Sequence, residues 1–517
     1  MAVNRKGKSD LHPLTSSDET QQNYSAINGV DANQNGSVKS ELPLSAESVS
    51  EGRKRKSPES IKTPSTEFTV EEAVEAIGFG RFQIMILAIG GLFSATDALE
   101  MMLLSVLSPV LRCEWLLAEW QIALVTTVVF VGMFAGSAAW GKFSDQYGRF
   151  KAVSLGGLWI LFYGILTAFS PNLYWILILR CFVGFGFGGA IQAFTLMSEY
   201  LPSKFRAKAL ILSNFNWAIG SMFEVWMASL LLPAWRILVG VSALPLSIAL
   251  VALYFLPESA RYLVAAGQNN QALMILQRGA RINKKELPAG PLVATAQNER
   301  GRFRDLFAKY YWSTTLILWL LWFSTAFSYY GMVLIGSEIL EAEEDPFCHC
   351  NLHTASDYVA MIVATLGEFV AIPLNLITVD LLGRKKSLAL DFFGASFFFM
   401  LILGINREHT GLLTVALFGA RGFTSGIFNI VYIYTGEVYP TSVRSVGLGT
   451  ASSMARAGAM ISPFVAQVIR RRVSNVAAVS IYGAVCLVAG IAALLLPIET
   501  KGHKLMQSVN QNPHVVK

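Results

Sequence analysis

The chain has 517 residues, 53% hydrophobic and 15% charged, with 41 Lys and Arg against 35 Asp and Glu; its mean hydropathy is +0.47. Soluble domains carry about a quarter charged residues, so lipid is the expected solvent for most of this chain. That composition excludes a soluble enzyme, a nucleic-acid-binding domain and a wholly disordered chain, and the net charge of +6 reads as positive charge gathered on the cytosolic side of a membrane.

Residues 1–66 are rich in Ser, Asn, Glu and Lys and poor in aromatics, so a disordered cytosolic tail is expected there. No apolar stretch follows Met1, and no cleaved leader is expected. Residues 67–81 read as an amphipathic lead-in helix: Thr69 and Glu72 fit a capping box, and Val70, Val74 and Ile77 share a face expected to lie at the membrane interface.

A membrane span needs about twenty mostly apolar residues. Six are expected near 82–107, 120–141, 152–170, 174–198, 209–232 and 237–256, giving an N-terminal bundle over 82–256. A polar cytosolic linker follows at 257–312. Six more are expected near 313–335, 358–380, 387–405, 411–436, 445–469 and 476–497, giving a C-terminal bundle over 313–497 before a tail at 498–517. The fold class is therefore all-α integral membrane, with 12 transmembrane helices in two six-helix bundles.

Lys and Arg orient the bundle. With both termini cytosolic, 19 of them fall on the inner side and 6 on the outer. The exception is the outer triplet Arg470–Arg472, which is placed to meet the acidic outer loop carrying Glu341, Glu343, Glu344 and Asp345.

The halves repeat each other. Gly141, Asp145, Gly148 and Arg149 follow the second span, and Asp380, Gly383 and Arg384 follow the eighth, at an offset of 235. Glu199, Pro202 and Arg206 follow the fourth, and Glu437, Pro440 and Arg444 follow the tenth, at an offset of 238. Arg180 and Arg421 are related by 241, and Pro257-Glu258 and Pro497-Ile-Glu499 close the two halves. Duplication of this kind is how alternating-access transporters are built.

On these motifs the chain resembles the major facilitator superfamily over about residues 80–505, the first loop matching its G-x-x-x-D-x-x-G-R motif. In the second copy Leu376 replaces the first glycine. Asp97-Ala-Leu-Glu100-Met-Met, Pro257-Glu-Ser-Ala-Arg-Tyr and Pro497-Ile-Glu-Thr-Lys-Gly look like the synaptic vesicle 2-related group, within the sugar and organic-ion transporter branch. The resemblance implies the two-bundle fold, a vesicle membrane (the plasma membrane being the alternative), a monomer, and a cytosolic latch that closes in the outward-open state. Its members would be Gly141, Asp145, Gly148, Arg149, Glu199, Arg206, Asp380, Gly383, Arg384, Glu437 and Arg444. Asp145 is expected to pair with Arg149 or Arg206.

Charges inside spans are costly, so each is a candidate for function. Asp97 and Glu100 share a face of the first span; Glu224 lies in the fifth, Arg456 in the eleventh, Glu368 in the eighth, and Arg180 and Arg421 in the fourth and tenth. The family places its cavity on the first, fourth, seventh and tenth spans. The substrate-cavity candidates are therefore Asp97, Glu100, Glu224, Tyr329, Tyr330, Tyr432, Tyr434 and Arg456. A carboxylate pair suits a cationic solute or proton coupling; an ion pair with an arginine such as Arg456 is the packing alternative. Phe392, Phe393 and Phe397–Phe399 are expected to face lipid. Cys113 could bridge to Cys348 or Cys350.

No catalytic set, nucleotide-hydrolysing motif or common zinc spacing is found, so neither an enzyme nor a primary pump is expected, and no metal or other cofactor beyond a coupling proton. The expected partners are the lipid bilayer and an unidentified small-molecule solute, with no nucleic acid. Two readings stay open: a secondary active transporter of a small organic ion, or a transporter-shaped vesicle protein with a binding or regulatory role, nucleotides among its ligands. A sugar porter is the weaker alternative, because Trp322–Tyr330 lacks the Gln-rich sugar pattern.

Overall fold

The structure is a computed structural model that describes residues 67–293, 302–340, 353–406, 409–440 and 442–501. Long apolar helices dominate it, because backbone polar groups in lipid must be satisfied within their own segment. The first six spans are Arg81–Trp115, Glu119–Tyr147, Arg149–Thr167, Leu173–Ala190 continued by Gln192–Glu199, Ser203–Leu231, and Trp235–Ser242 continued by Leu244–Ala252. The second six are Trp312–Leu340, Ala355–Leu382, Arg384–Leu403, Thr410–Val438, Arg444–Pro463 with the π-helical Phe464–Ile469, and Asn475–Leu494.

Among the described residues, ten of these twelve are long and apolar enough to cross a membrane. The fifth and eleventh fall short because they carry Asn214, Asn216 and Glu224, and Ser452, Ser453 and Arg456. Such spans are stable only where their polar faces turn inward.

Close helix contacts recur at matched places in the halves. A side-chain carbon at Gly184 would lie 2.0 Å from the Val129 carbonyl oxygen, so the fourth span rides directly on the second. In the other half, a carbon at Gly367 of the eighth span would lie 2.3 Å from the Phe418 carbonyl oxygen of the tenth.

Two turns share one device. Gly148 (φ 106°) and Gly383 (φ 85°) take left-handed backbone that favours glycine, just before the third and ninth spans. Glu258 accepts from the Phe150 N–H at 3.0 Å, and Glu499 from the Arg384 N–H at 2.9 Å. Each carboxylate caps the positive N-terminus of a span, where exposed N–H donors and the helix dipole both favour an anion. The repeated Pro-(x)-Glu element is thus a pair of helix caps. Gly141, by contrast, lies inside the second span with open space beside it, so no close approach requires a glycine there.

The lead-in helix is Val70–Ile77, with the Thr69–Glu72 capping box in place. Its apolar face does not lie against lipid. Val70, Ala73, Val74 and Ile77 are buried, the helix packs on Asn269–Asn283 of the linker segment, and Phe68 pairs with Leu292 in a short parallel bridge. The linker's own amphipathic helix offers that face an apolar partner. Phe392 and Phe399 also turn inward, both fully buried, whereas Phe397 is exposed. Helical phase places consecutive phenylalanines on different faces.

The side of the bundle that carries the linker helices is called the linker face below, and the other side the far face. Polar contacts between the halves run from mid-depth to the far face. Thr127 donates to the Met460 carbonyl at 3.1 Å, Gln467 to the Ser108 hydroxyl at 3.0 Å, and Ser337 to the Ser105 carbonyl at 3.4 Å. At the far end, buried Glu338 pairs with Arg112 at 2.6 Å, Arg470 at 3.1 Å and Arg471 at 3.5 Å. Arg472 pairs with Glu119 at 3.6 Å. The acidic loop residues 341–345, Cys348 and Cys350, all expected on this face, lie outside the described residues.

Candidate solute-binding site

The two arginines related by the repeat, Arg180 and Arg421, are both buried and both hold a carboxylate. Arg180 of the fourth span bonds Glu100 of the first. Arg421 of the tenth donates to Glu368 of the eighth at 2.6 Å. The Tyr329 hydroxyl donates to the same Glu368 oxygen at 3.0 Å. In turn Trp217 of the opposite half donates to Tyr329 at 2.5 Å. A bare charge in hydrocarbon costs at least about 2.5 kcal/mol on insertion scales, which is why each arginine is found with a carboxylate.

These contacts divide the eight cavity candidates. Glu100 is taken by Arg180. Glu224 is fully buried, with the Ser242 hydroxyl 3.1 and 2.9 Å from its two oxygens and its one proton shared between them and the Leu238 carbonyl. It ties the fifth span to the sixth within one half. Tyr434 is also fully buried and donates to the Ile498 carbonyl at 2.7 Å, near the linker face. Tyr329 belongs to the Glu368–Arg421 group.

The other four come together. Asp97 of the first span, Tyr330 of the seventh, Tyr432 of the tenth and Arg456 of the eleventh lie within electrostatic reach of one another. One comes from the N-terminal half and three from the C-terminal half. Asp97 Oδ1 and Arg456 Nε are buried without a hydrogen-bond partner. Arg456 Nη1 is held by its own helix, on the Ser452 hydroxyl at 2.6 Å. Around them, Tyr432 stands edge-on to Trp322 with ring centres 4.5 Å apart, and Tyr330 lies 4.7 Å from Phe130 of the other half. An anion and a cation, each short of a partner and flanked by phenols, can bind a small charged or zwitterionic solute. Asp97 and Glu100 do share a face, but three residues of separation give them different partners: Glu100 meets the fourth span and Asp97 the opposite half.

Asn214 and Asn429 bond each other across the halves. Asn214 could be noticed as a polar residue in a span; nothing in the sequence signals that Asn429 answers it.

On the linker face, Arg149 pairs with Asp145 at 3.1 Å and with Glu199 at 3.5 Å, and Glu199 accepts from Ser259. Arg384 grips Glu437 with two bonds, at 2.8 and 2.9 Å. Each of these pairs stays inside its own half. Arg206 does not meet Asp145; it donates to the Leu201 carbonyl at 3.0 Å, and Arg444 donates to the Tyr439 carbonyl at 3.3 Å. Asp380 is exposed. Among the described residues, these loop charges therefore make no latch across the halves.

Residues 62–510 match the family model of the sugar (and other) transporters. The chain is 46% identical over 468 residues to synaptic vesicle 2-related protein of Xenopus laevis, covering 87% of this chain and 85% of that relative. It is likewise 46% identical over 468 residues to the protein of that name from Rattus norvegicus. It superposes on the inward-open xylose transporter XylE of E. coli with a TM-score of 0.64 at 15% identity, over 84% of this chain and 100% of that one. The latter likeness is one of fold, the multi-pass major facilitator fold. With duplicated bundles, repeated loop motifs and a family match across most of its length, the chain belongs to the sugar (and other) transporter family of the major facilitator superfamily.

Proposed function

We propose that the protein is a secondary active transporter, with no enzymatic step, that moves a small charged organic solute across a vesicle membrane by alternating access. In this reading both termini are cytosolic, the linker face is the cytosolic face, and the solute binds between Asp97, Tyr330, Tyr432 and Arg456. The observation that carries it is the shared cluster itself, in which both halves contribute and two buried polar atoms lack partners. A site built from both halves must change as they rock, which links occupancy to access. The far face is tied across the halves by Glu338 and its arginines, while the linker-face pairs stay within each half, so solute would enter from the linker face. Proton coupling would run through Asp97.

A second reading is favoured by the two buried Arg–carboxylate pairs, which place paired charge in the interior: a binding or regulatory protein of transporter shape, with nucleotides among its ligands. A thermal-shift screen of the purified chain against organic ions, nucleotides and sugars, followed by uptake into proteoliposomes, separates the two. Transport predicts a solute that raises the melt and accumulates. Binding without accumulation supports the second reading, and a response to sugars alone would overturn the charged-solute assignment.

A further inference from the structure

One buried carboxyl stands apart from every group discussed so far. Asp391 of the ninth span is 1% exposed, and its Oδ2 has no hydrogen-bond partner. The ninth span packs on the eighth, tenth and twelfth. Charged residues on these four helices are Asp357, Glu368 and Asp380 on the eighth, Arg384, Lys385 and Lys386 at the linker end of the ninth, and Arg421 and Glu437 on the tenth. The twelfth has none. Arg421 is taken by Glu368 and Arg384 by Glu437. Among the described residues, no cation pairs with Asp391.

Asn375 of the eighth span and Gly426 of the tenth complete the spot. Asn375 Nδ2 donates to the Gly426 carbonyl at 2.7 Å. That bond fixes the amide, because the flipped orientation would set oxygen against oxygen. Asn375 Oδ1 is then a pure acceptor, and it too is buried without a donor. The two side chains meet beside one backbone position: a side-chain carbon at Gly426 would lie 2.7 Å from Asp391 Oδ2, 2.9 Å from Asn375 Nδ2 and 3.2 Å from Asn375 Oδ1. Ser387, one turn before Asp391 on the same helix face, has a buried hydroxyl that is likewise unpartnered.

Two unpartnered acceptors on neighbouring side chains in an apolar interior each bear the desolvation penalty of an unmade bond. One proton removes both deficits. A carboxyl that cannot find a counter-ion in a low dielectric is more stable neutral than charged. A metal ion is a poorer answer, since hard cations seek six or more oxygens and the spot offers far fewer.

We propose that Asp391, Asn375 and Gly426 form a proton-binding site in the C-terminal half, where Asp391 is held as a neutral carboxylic acid donating to the Asn375 side-chain oxygen. The bound proton fastens the eighth, ninth and tenth spans together. The tenth carries Arg421 and Tyr432, so the proton steadies the helix that presents both to the interior. Gly426 is required because any side chain would occupy the carboxyl's place.

The test uses the full chain purified in detergent. Infrared spectra of the wild type at neutral pH should contain a carboxylic-acid C=O band that Asp391→Asn removes. Melts from pH 5 to 8 give a second readout. Asp ionises at about 3.9 in an unfolded chain but keeps its proton in the proposed site, so folding takes one up and stability falls as pH rises. The amide of Asp391→Asn donates the same bond without a proton. The variant should therefore lose up to about tenfold per pH unit less in its folding constant than the wild type. Exchanging sodium for choline should leave the wild-type melt unmoved. An unchanged infrared band, an unchanged pH slope, or a sodium-dependent melt abolished by the variant would each overturn the proposal. Should Asp391→Asn not fold, Asn375→Ala serves instead: it keeps the acid but removes its acceptor, so the band should move to the higher frequency of an unbonded acid, and an unmoved band sinks the idea.

Discussion

The offset of 235 residues that carries Asp145 onto Asp380 also carries Gly156 onto Asp391. In the N-terminal half, a side-chain carbon at Gly156 would lie 2.8 Å from the Gly189 Cα, so the third and fourth spans meet backbone to backbone. In the C-terminal half a carboxyl fills that place and presses on Gly426. The arginines show the same divergence. Arg180 and Arg421 occupy related positions, yet one takes its carboxylate from the first span and the other from the eighth. Among the described residues, only the second pair reaches the opposite half, through Tyr329 and Trp217 and through Arg421 on the Met102 sulfur at 3.7 Å. Duplication kept the helix positions and the cations, while the groups answering them drifted. The C-terminal half became the one whose polar interior is wired to its neighbour.

The largest effect should come from breaking the arginine pairs. Removing one partner of a buried pair costs about 3–5 kcal/mol. Arg421→Ala should destabilise more than Arg180→Ala, because Glu368 also orients Tyr329 and, through it, Trp217. Melting temperatures of the two purified variants decide this, and a deeper loss in Arg180→Ala would show that the C-terminal half is not the more strongly coupled one.

Next come the two capped turns. Gly148→Ala and Gly383→Ala each force a left-handed backbone on alanine, worth roughly 1–3 kcal/mol. The new carbon would lie 2.1 Å from a Glu258 carboxylate oxygen in the first case and 3.0 Å from Glu499 in the second. Gly148→Ala should therefore melt lower, and equal losses would mean that the caps yield with equal ease.

Tyr329→Phe removes one bond within the C-terminal half and one between the halves, at about 1 kcal/mol each. Trp217→Phe removes only the second and should lose about half as much. Equal losses would place all the energy in the contact between the halves.

The smallest effect is expected at the far face. Burial pushes the His353 imidazole below its usual range, against the opposing pull of Asp357 and Glu338. The neutral ring is then the folded form. Its contribution to stability is present above the unfolded pKa of about 6.5 and is lost as pH falls below it. His353→Gln should flatten the acid limb of a pH–melt profile slightly, and an unaltered limb would remove His353 from that balance.

The spans, their order and the duplicated loops could be read from the sequence because hydropathy and repeated turn residues report directly on lipid exposure and backbone geometry. The partners inside the bundle could not. Helical phase told that Asp97 and Glu100 share a face, but not that the fourth span would claim one and leave the other to the opposite half. Glu224 and Tyr434 looked like cavity residues because a polar group in a span is costly, yet Ser242 and the Ile498 carbonyl satisfy them locally. Glu258 and Glu499 were visible as repeated motifs, but their role as caps needed the turn at Gly148 and Gly383 to bring them to a helix start. Asp391 and Asn375 lie on different spans, where no spacing rule connects them.

The most direct measurement of the solute site is the melt of Asp97→Asn beside that of the wild type, each alone and with every compound of the organic-ion, nucleotide and sugar screen. With Asp97 unpaired in the resting protein, the predicted result is a variant that melts close to the wild type alone, while the compound that raises the wild-type melt leaves the variant unmoved. The contradicting result is an equal response in both proteins, or a variant weakened without ligand by the roughly 3–5 kcal/mol of a broken buried ion pair.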